Sequence, residues 1–194
     1  LSASIVTVYG TGLDNAGNLL PDNAVDPHYS LILYPGQIGS APAPSYALSG
    51  ITFSYNTSGT TSRWISWSPT WIDATPNGTW IYRTTFDLTG FIPSTTVLTG
   101  RLLSDDDGTL FLNGVNTGVH NHDNFNWTNF NITNGFVPGV NTVDFQVLNA
   151  NFVSFNPSAL RVDLSATAVP EPSAIVLSAV ASGWIAFRRW RKRA

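Results

Sequence analysis

The sequence predicts an all-β fold, an antiparallel β-sandwich, followed by a single C-terminal hydrophobic helix. Three observations carry this. Before residue 169 there is no Lys, Glu or Met, while Thr, Val, Ile, Tyr, Phe and Trp are plentiful, so strand formers dominate. Short runs of alternating apolar and polar residues recur, separated by Gly, Pro, Asn and Asp clusters at a spacing of about ten residues. The one long uncharged stretch without a Pro, Asn or Asp, residues 173–187, comes after all of them.

In chain order, residues 5–9 form a first strand, followed by a Gly-, Asn- and Asp-rich loop over 10–25. Residues 29–34 form a second strand, and 35–44 a Pro/Gly/Ala loop. Residues 51–71 hold Phe53, Tyr55, Trp64, Trp67 and Trp71, more aromatic bulk than one strand face can bury, which places some of it at an edge. Residues 79–88 alternate, with Trp80, Tyr82, Thr84, Phe86 and Leu88 expected inward. A strand over 95–103 leads into an Asp105-Asp106-Asp107-Gly108 turn, a short strand over 109–112, and Asn113-Gly114, the strongest hairpin signal in the chain. Strands over 125–132 and 140–148, the latter with Val143, Phe145 and Val147 on one face, precede a last one carrying Leu160, Val162, Leu164 and Ala166. That makes about nine strands, the number of a two-sheet sandwich.

Charge divides the chain in two. Residues 1–168 carry eleven Asp and four Arg, a formal −7, whereas the remainder carries five basic groups against Glu171, a formal +4. An acidic body excludes nucleic acid as a partner, because phosphate binding needs a basic surface. The absence of cysteine removes disulfides, thiol catalysis and thiolate metal sites together. The chain starts at Leu1 without Met, as expected of a mature exported protein whose signal peptide has been removed.

The tail explains the division. As a helix, residues 174–187 span only about 21 Å, short of the roughly 30 Å hydrocarbon core. Arg188, Arg189, Arg191, Lys192 and Arg193 follow at once. Their long side chains reach the headgroups and extend the span, and basic clusters stay on the cytoplasmic side. A short transmembrane helix at 174–187 and a basic cytoplasmic end at 188–194 put residues 1–168 outside. Pro170 and Pro172 keep the intervening segment 169–173 extended and accessible to a protease.

The order Val169-Pro170-Glu171-Pro172-Ser173, a short hydrophobic helix and an Arg-rich end resembles the PEP-CTERM sorting signal, a tail also described as an ice-binding protein C-terminal domain. The resemblance implies an exosortase-type membrane protease as partner, one that cleaves near the motif and passes the protein from the inner membrane to the cell surface or extracellular matrix. A plain membrane anchor is the other reading of the same residues. The body resembles ectodomains that accompany such tails, through Asp26-Pro27-His28-Tyr29, the segments at 84–90, 104–108, 112–114 and 139–145, and Asn156-Pro157-Ser158-Ala159-Leu160-Arg161. That similarity implies a jelly-roll sandwich of the galactose-binding type, a fold frequent in carbohydrate-binding modules.

Four groups of residues are candidates for chemistry. Asp105, Asp106 and Asp107 offer carboxylate oxygens suited to calcium, with Asp26 and Asp144 as further ligands, or else form a solvated turn. His120, His122 and Asp123 offer a zinc-type ligand set, or a polar loop. Among Trp64, Trp67, Trp71, Trp80 and Trp127, the preferred sugar-stacking rings are Trp67 and Trp71, which sit among Ser, Pro and Thr; the alternative is that all five serve the core. For catalysis the body has no Gly-x-Ser-x-Gly elbow, no Glu for a glycosidase pair and no HExxH helix. The expectation is a non-catalytic carbohydrate-binding or structural module of an exopolysaccharide matrix, with no obligatory cofactor. A self-associating surface protein and an Asp-based glycan hydrolase are the alternatives.

Overall fold

The structure is a computed structural model that describes residues 2–36, 42–48, 55–59, 61–70, 75–150 and 156–172. Trp71, Ser173, the helix expected at 174–187 and the basic residues Arg188, Arg189, Arg191, Lys192 and Arg193 lie outside the described residues. No helix among the described residues is long and apolar enough to cross a membrane.

Eleven strands make up the domain: β1 (Ser4–Val6), β2 (Val25–Leu33), β3 (Ala43–Leu48), β4 (Trp64–Ser66), β5 (Gly78–Asp87), β6 (Phe91–Asp105), β7 (Asp107–Leu112), β8 (Val115–Asn121), β9 (Thr128–Ile132), β10 (Val140–Asn149) and β11 (Ala159–Pro170). They hydrogen-bond in the order β8-β7-β10-β5-β2-β3-β4-β11-β6-β9, with β1 beside β11, and their pairings are antiparallel. The path folds over on itself. Leu110, Leu112, Val143, Phe145 and Val147 from one end share a single core with Leu98, Leu102, Phe130, Ile132, Leu160 and Val162 from the other. The chain is therefore an antiparallel sandwich. One leaf is β8-β7-β10-β5-β2, the other β4-β11-β6-β9, and β3 links them by pairing with both β2 and β4.

Alternation in the sequence sets the core. Trp80, Tyr82, Thr84, Phe86 and Leu88 are all buried, as their period of two requires. Asn113 and Gly114 take φ of 50° and 79°, the positive values that a two-residue hairpin demands, and Leu112 pairs with Val115 across them. Gly100 lies where a Cβ would sit 2.2 Å from the Asp163 carbonyl oxygen and 2.6 Å from the Phe130 ring, so only glycine fits between β11 and β9.

The strand count exceeds the sequence expectation because β3 and β8 have no alternating apolar face. β8 (VNTGVHN) is the outer strand of its leaf, polar and mostly exposed, and it owes its place to the Asn113-Gly114 turn rather than to burial. β2 starts earlier than expected, at Val25, because a register break between Val25 and Ser30 absorbs Pro27. β11 runs past the expected domain end at residue 168: Val169 pairs with Ile92 and Pro170 with Phe91. Of the aromatics expected partly at an edge, Trp64 is buried in a second, smaller core with Leu48, Leu103 and Ala159, Tyr55 and Trp127 packed against it, while half-buried Trp67 packs on the main core; Phe53 and Trp71 lie outside the described residues.

Candidate functional site

The aspartate run sits where the chain leaves one leaf and enters the other, β6 ending at Asp105 and β7 beginning at Asp107. The three side chains diverge. Asp105 is buried and accepts from the Tyr55 hydroxyl. Asp106 accepts from the Ala150 amide at 2.7 Å. Asp107 turns outward to the His122 Nδ1, 2.6 Å away. Burial pushes the Asp105 carboxyl up to about 7, against the pull of the Tyr55 hydroxyl, and the neighbouring Asp106 carboxyl adds to the rise. Burial first, and the Asp105 charge second, also push the Tyr55 phenol far above its ordinary range.

This is not the solvated turn that three consecutive aspartates suggest, and it does not present them as one calcium cage. The further oxygen ligands expected from elsewhere are also committed. Asp144 forms a two-pronged ion pair with Arg83, its cross-strand partner, at 2.6 and 2.7 Å. Asp26 is buried and accepts from the amides of Gly12, His28 and Tyr29.

Around the histidines the structure substitutes one carboxylate for another. Asp123 accepts from the Phe125 amide and the Asn126 side chain, closing its own loop. Asp107 takes its place, so that Asp107, His120 and His122 have ligand atoms within 4.8 Å of one another. The register explains it. Gly108 pairs with Asn121 and Thr109 with His120, which sets Asp107 beside His122 on the outward face of the β7–β8 hairpin. The two histidine rings meet edge to face with centroids 3.9 Å apart. The His-x-His spacing was visible in the sequence; the aspartate thirteen positions before His120 was not, because its approach depends on the strand pairing.

The tryptophans separate into distinct roles. Trp64 and Trp80 are buried, donating to the carbonyl oxygens of Asn56 and Pro76. Trp127 lies under Arg101 and Arg161, whose guanidinium carbons are 4.2 and 5.2 Å from its ring centre. Trp67 is half-buried, its ring 5.5 Å from that of Trp80 and its indole N–H 3.3 Å from the Thr75 hydroxyl.

Arg161 is the functional-looking residue that sequence reasoning left unassigned. It is buried, and its guanidinium donates to the Asn56, Ser58 and Ser62 carbonyl oxygens and to the Ser62 hydroxyl, at 2.7–3.0 Å. Burial lowers its pKa, with Asp163 opposing. Beside it is a cleft of about 160 Å³ walled by Leu19, Leu48, Thr57, Arg63 and Trp64. A second, open groove of about 510 Å³ runs along β1 and β11, where Tyr9, Asn15, Thr61, Thr99, Asp163 and Ser165 present polar atoms. Thr99 and Ser165 hydroxyls are 2.8 Å apart on its floor, and Thr61 donates to Asp163 at 3.0 Å. Asp105 and Asp106 line neither opening.

No protein-family model matches the chain, and no curated protein matches it. Among solved structures it is similar to an FMN-binding beta-glucuronidase from Facaelibacterium prausnitzii L2-6, with a TM-score of 0.43 and 12% identity over 82% of this chain and 22% of that one. It is also similar to a beta-glucosidase from Kluyveromyces marxianus, with a TM-score of 0.35 and 10% identity over 83% of this chain and 20% of that one. The chain spans about a fifth of the length of each of these two structures.

Proposed function

We propose that the chain is an exported jelly-roll sandwich, handed over through its C-terminal tail by an exosortase-type protease, that serves at the cell surface as a non-catalytic carbohydrate-binding module of a polysaccharide matrix. The observation that carries this is where the folded domain ends. The last core contributor among the described residues is Ala168. β11 closes with the Pro170–Phe91 pair, the Glu171 amide donates to the Gly90 carbonyl at 2.8 Å, and Glu171 and Pro172 are exposed. Cutting after Pro172 removes nothing the described core uses, whereas cutting before Val169 strips two pairs from β11. Protein recovered from the native cell surface is expected to have a C-terminal mass ending between Glu171 and Ser173. An intact end at Ala194 overturns the delivery reading.

The groove along β1 and β11 supports the ligand class. A polysaccharide needs an open trough with hydroxyl and carboxylate groups spaced along it and apolar surface between them, and Asn15, Thr61, Thr99, Asp163 and Ser165 alternate there with Val8, Leu13 and Leu164. Asp105 and Asp26, the carboxyls whose pKa burial raises, are buried and line no part of the groove, which favours a binding role over hydrolysis. Ser165→Trp, at an exposed strand position, fills the trough. Retention on the producer's own exopolysaccharide is expected to fall at least about tenfold, equivalent to 1.4 kcal/mol. A loss produced instead by Trp67→Ala assigns the contact to stacking at Trp67 and Trp71, and parent protein that is not retained at all defeats the carbohydrate reading.

A further inference from the structure

We propose that Asp107, His120 and His122 bind a divalent transition-metal ion of the zinc type on the outer face of the β7–β8 hairpin. Two of the chain's three histidines meet there, separated by one residue, His120 near the end of β8 and His122 just past it, with a carboxylate supplied by the neighbouring strand β7. Two imidazoles and one carboxylate are a ligand set that zinc takes with three protein groups, leaving the fourth position for water or a ligand. The nitrogen content decides between ions. Calcium takes oxygen ligands, whereas imidazole suits zinc, copper and nickel.

The base of the site is held firmly. Asn121, between the two histidines, points the other way and is buried, its amide bridging to the Asn126 carbonyl at 3.1 Å and the Thr128 hydroxyl at 3.0 Å while its oxygen accepts from the Ser104 amide at 2.9 Å. That anchor fixes the backbone from which both imidazoles project, which is what a preorganised ligand pair requires. The side chains themselves are open to a solvent ion, His122 being 72% and Asp107 38% exposed.

Tetrahedral ligand atoms about 2.0–2.1 Å from zinc lie about 3.3 Å apart. The Asp107–His122 contact of 2.6 Å therefore opens by less than an ångström as the ion enters, a movement that exposed side chains make freely. Without a metal this contact is a hydrogen bond between two solvent-exposed side chains.

The test uses the full chain in mild detergent, stripped with EDTA and titrated calorimetrically at pH 7.5. ZnCl₂ is expected to bind once per chain, and CaCl₂ at the same concentration to give no heat. His122→Ala, His120→Ala and Asp107→Asn each weaken zinc binding at least about tenfold, comparable to the loss seen when groups supporting a metal site are removed. In the NMR spectrum, zinc shifts the imidazole signals of His120 and His122 and leaves His28, stacked on Tyr9 at 3.6 Å, in place. The His120→Ala/His122→Ala double variant changes only exposed side chains, and its unmetallated melting curve verifies that it folds. Zinc binding of parent strength in that folded variant, or calcium binding as strongly as zinc in the parent, overturns the proposal.

Discussion

Arg161→Met lowers the free energy of unfolding by about 3–5 kcal/mol, the range for removing a buried charge that makes four hydrogen bonds to its partners. The guanidinium spans three carbonyl oxygens of one loop, those of Asn56, Ser58 and Ser62, and methionine fills the same space without satisfying any of them. Relief of the buried charge offsets part of the loss, because burial already lowers the Arg161 pKa. The comparison that isolates the effect is Arg83→Met. Arg83 holds Asp144 at 2.6 and 2.7 Å from a side chain that is 37% exposed; because Asp144 itself is buried, the comparison is made in an Asp144→Asn background, where no carboxylate is stranded and the cost is expected to be no more than about 1 kcal/mol. Urea unfolding of both variants at pH 7, with an unchanged slope, measures the difference directly. Equal costs in the two variants sink the idea that Arg161 is the strut of the 55–62 loop.

The loop matters beyond stability because it organises the smaller core. Asn56 accepts from both Arg161 and the Trp64 indole, and Tyr55, one residue earlier, reaches Asp105 at the corner between the leaves. Losing the strut therefore frees the Trp64–Tyr55–Trp127 cluster and the wall of the small cleft together. Arg161→Lys keeps the charge, but an ammonium lacks the planar fork that reaches separate carbonyls, and it is expected to recover only a minor part of the loss.

The sandwich was legible where burial and local conformation dictate the residue. Trp80 through Leu88 and Val143 through Val147 announce their inward faces, and Asn113-Gly114 announces its turn, because alternation and positive φ leave few other residues acceptable. β8 was illegible for the opposite reason: an exposed edge strand needs no apolar face, and its partner, not its own composition, makes it a strand. The candidate sites divide along the same line. His120 and His122 declare themselves by spacing, but the carboxylate that completes them arrives by strand register. Three adjacent aspartates read as one group in sequence, yet successive strand residues face opposite ways, and the corner at Asp106 sends each to a separate partner. Arg161 looked like any arginine at the end of a motif, since nothing local records that its loop acceptors lie about a hundred residues earlier.

Asp105→Asn flattens the dependence of stability on pH. Asp105 has its carboxyl raised from 3.8 to about 7, chiefly by burial. Between those values the unfolded chain has released this proton and the folded chain still holds it. The contribution of the group is therefore complete below about pH 4, declines as pH rises, and is lost above about pH 7. Asparagine keeps the hydrogen bonds of the protonated form, its oxygen accepting from Tyr55 and its amide donating towards Asp106, but it cannot ionise. From pH 5 to pH 8 the parent is expected to lose on the order of 2–3 kcal/mol that the variant retains. Asp26, raised in the same direction by burial, leaves a smaller slope of the same sign in both proteins. Unfolding midpoints measured across this window should converge at pH 5 and separate in favour of Asp105→Asn at pH 8. Parallel curves would mean that the folded protein holds Asp105 as a carboxylate throughout, with Tyr55 sufficient to stabilise it against burial.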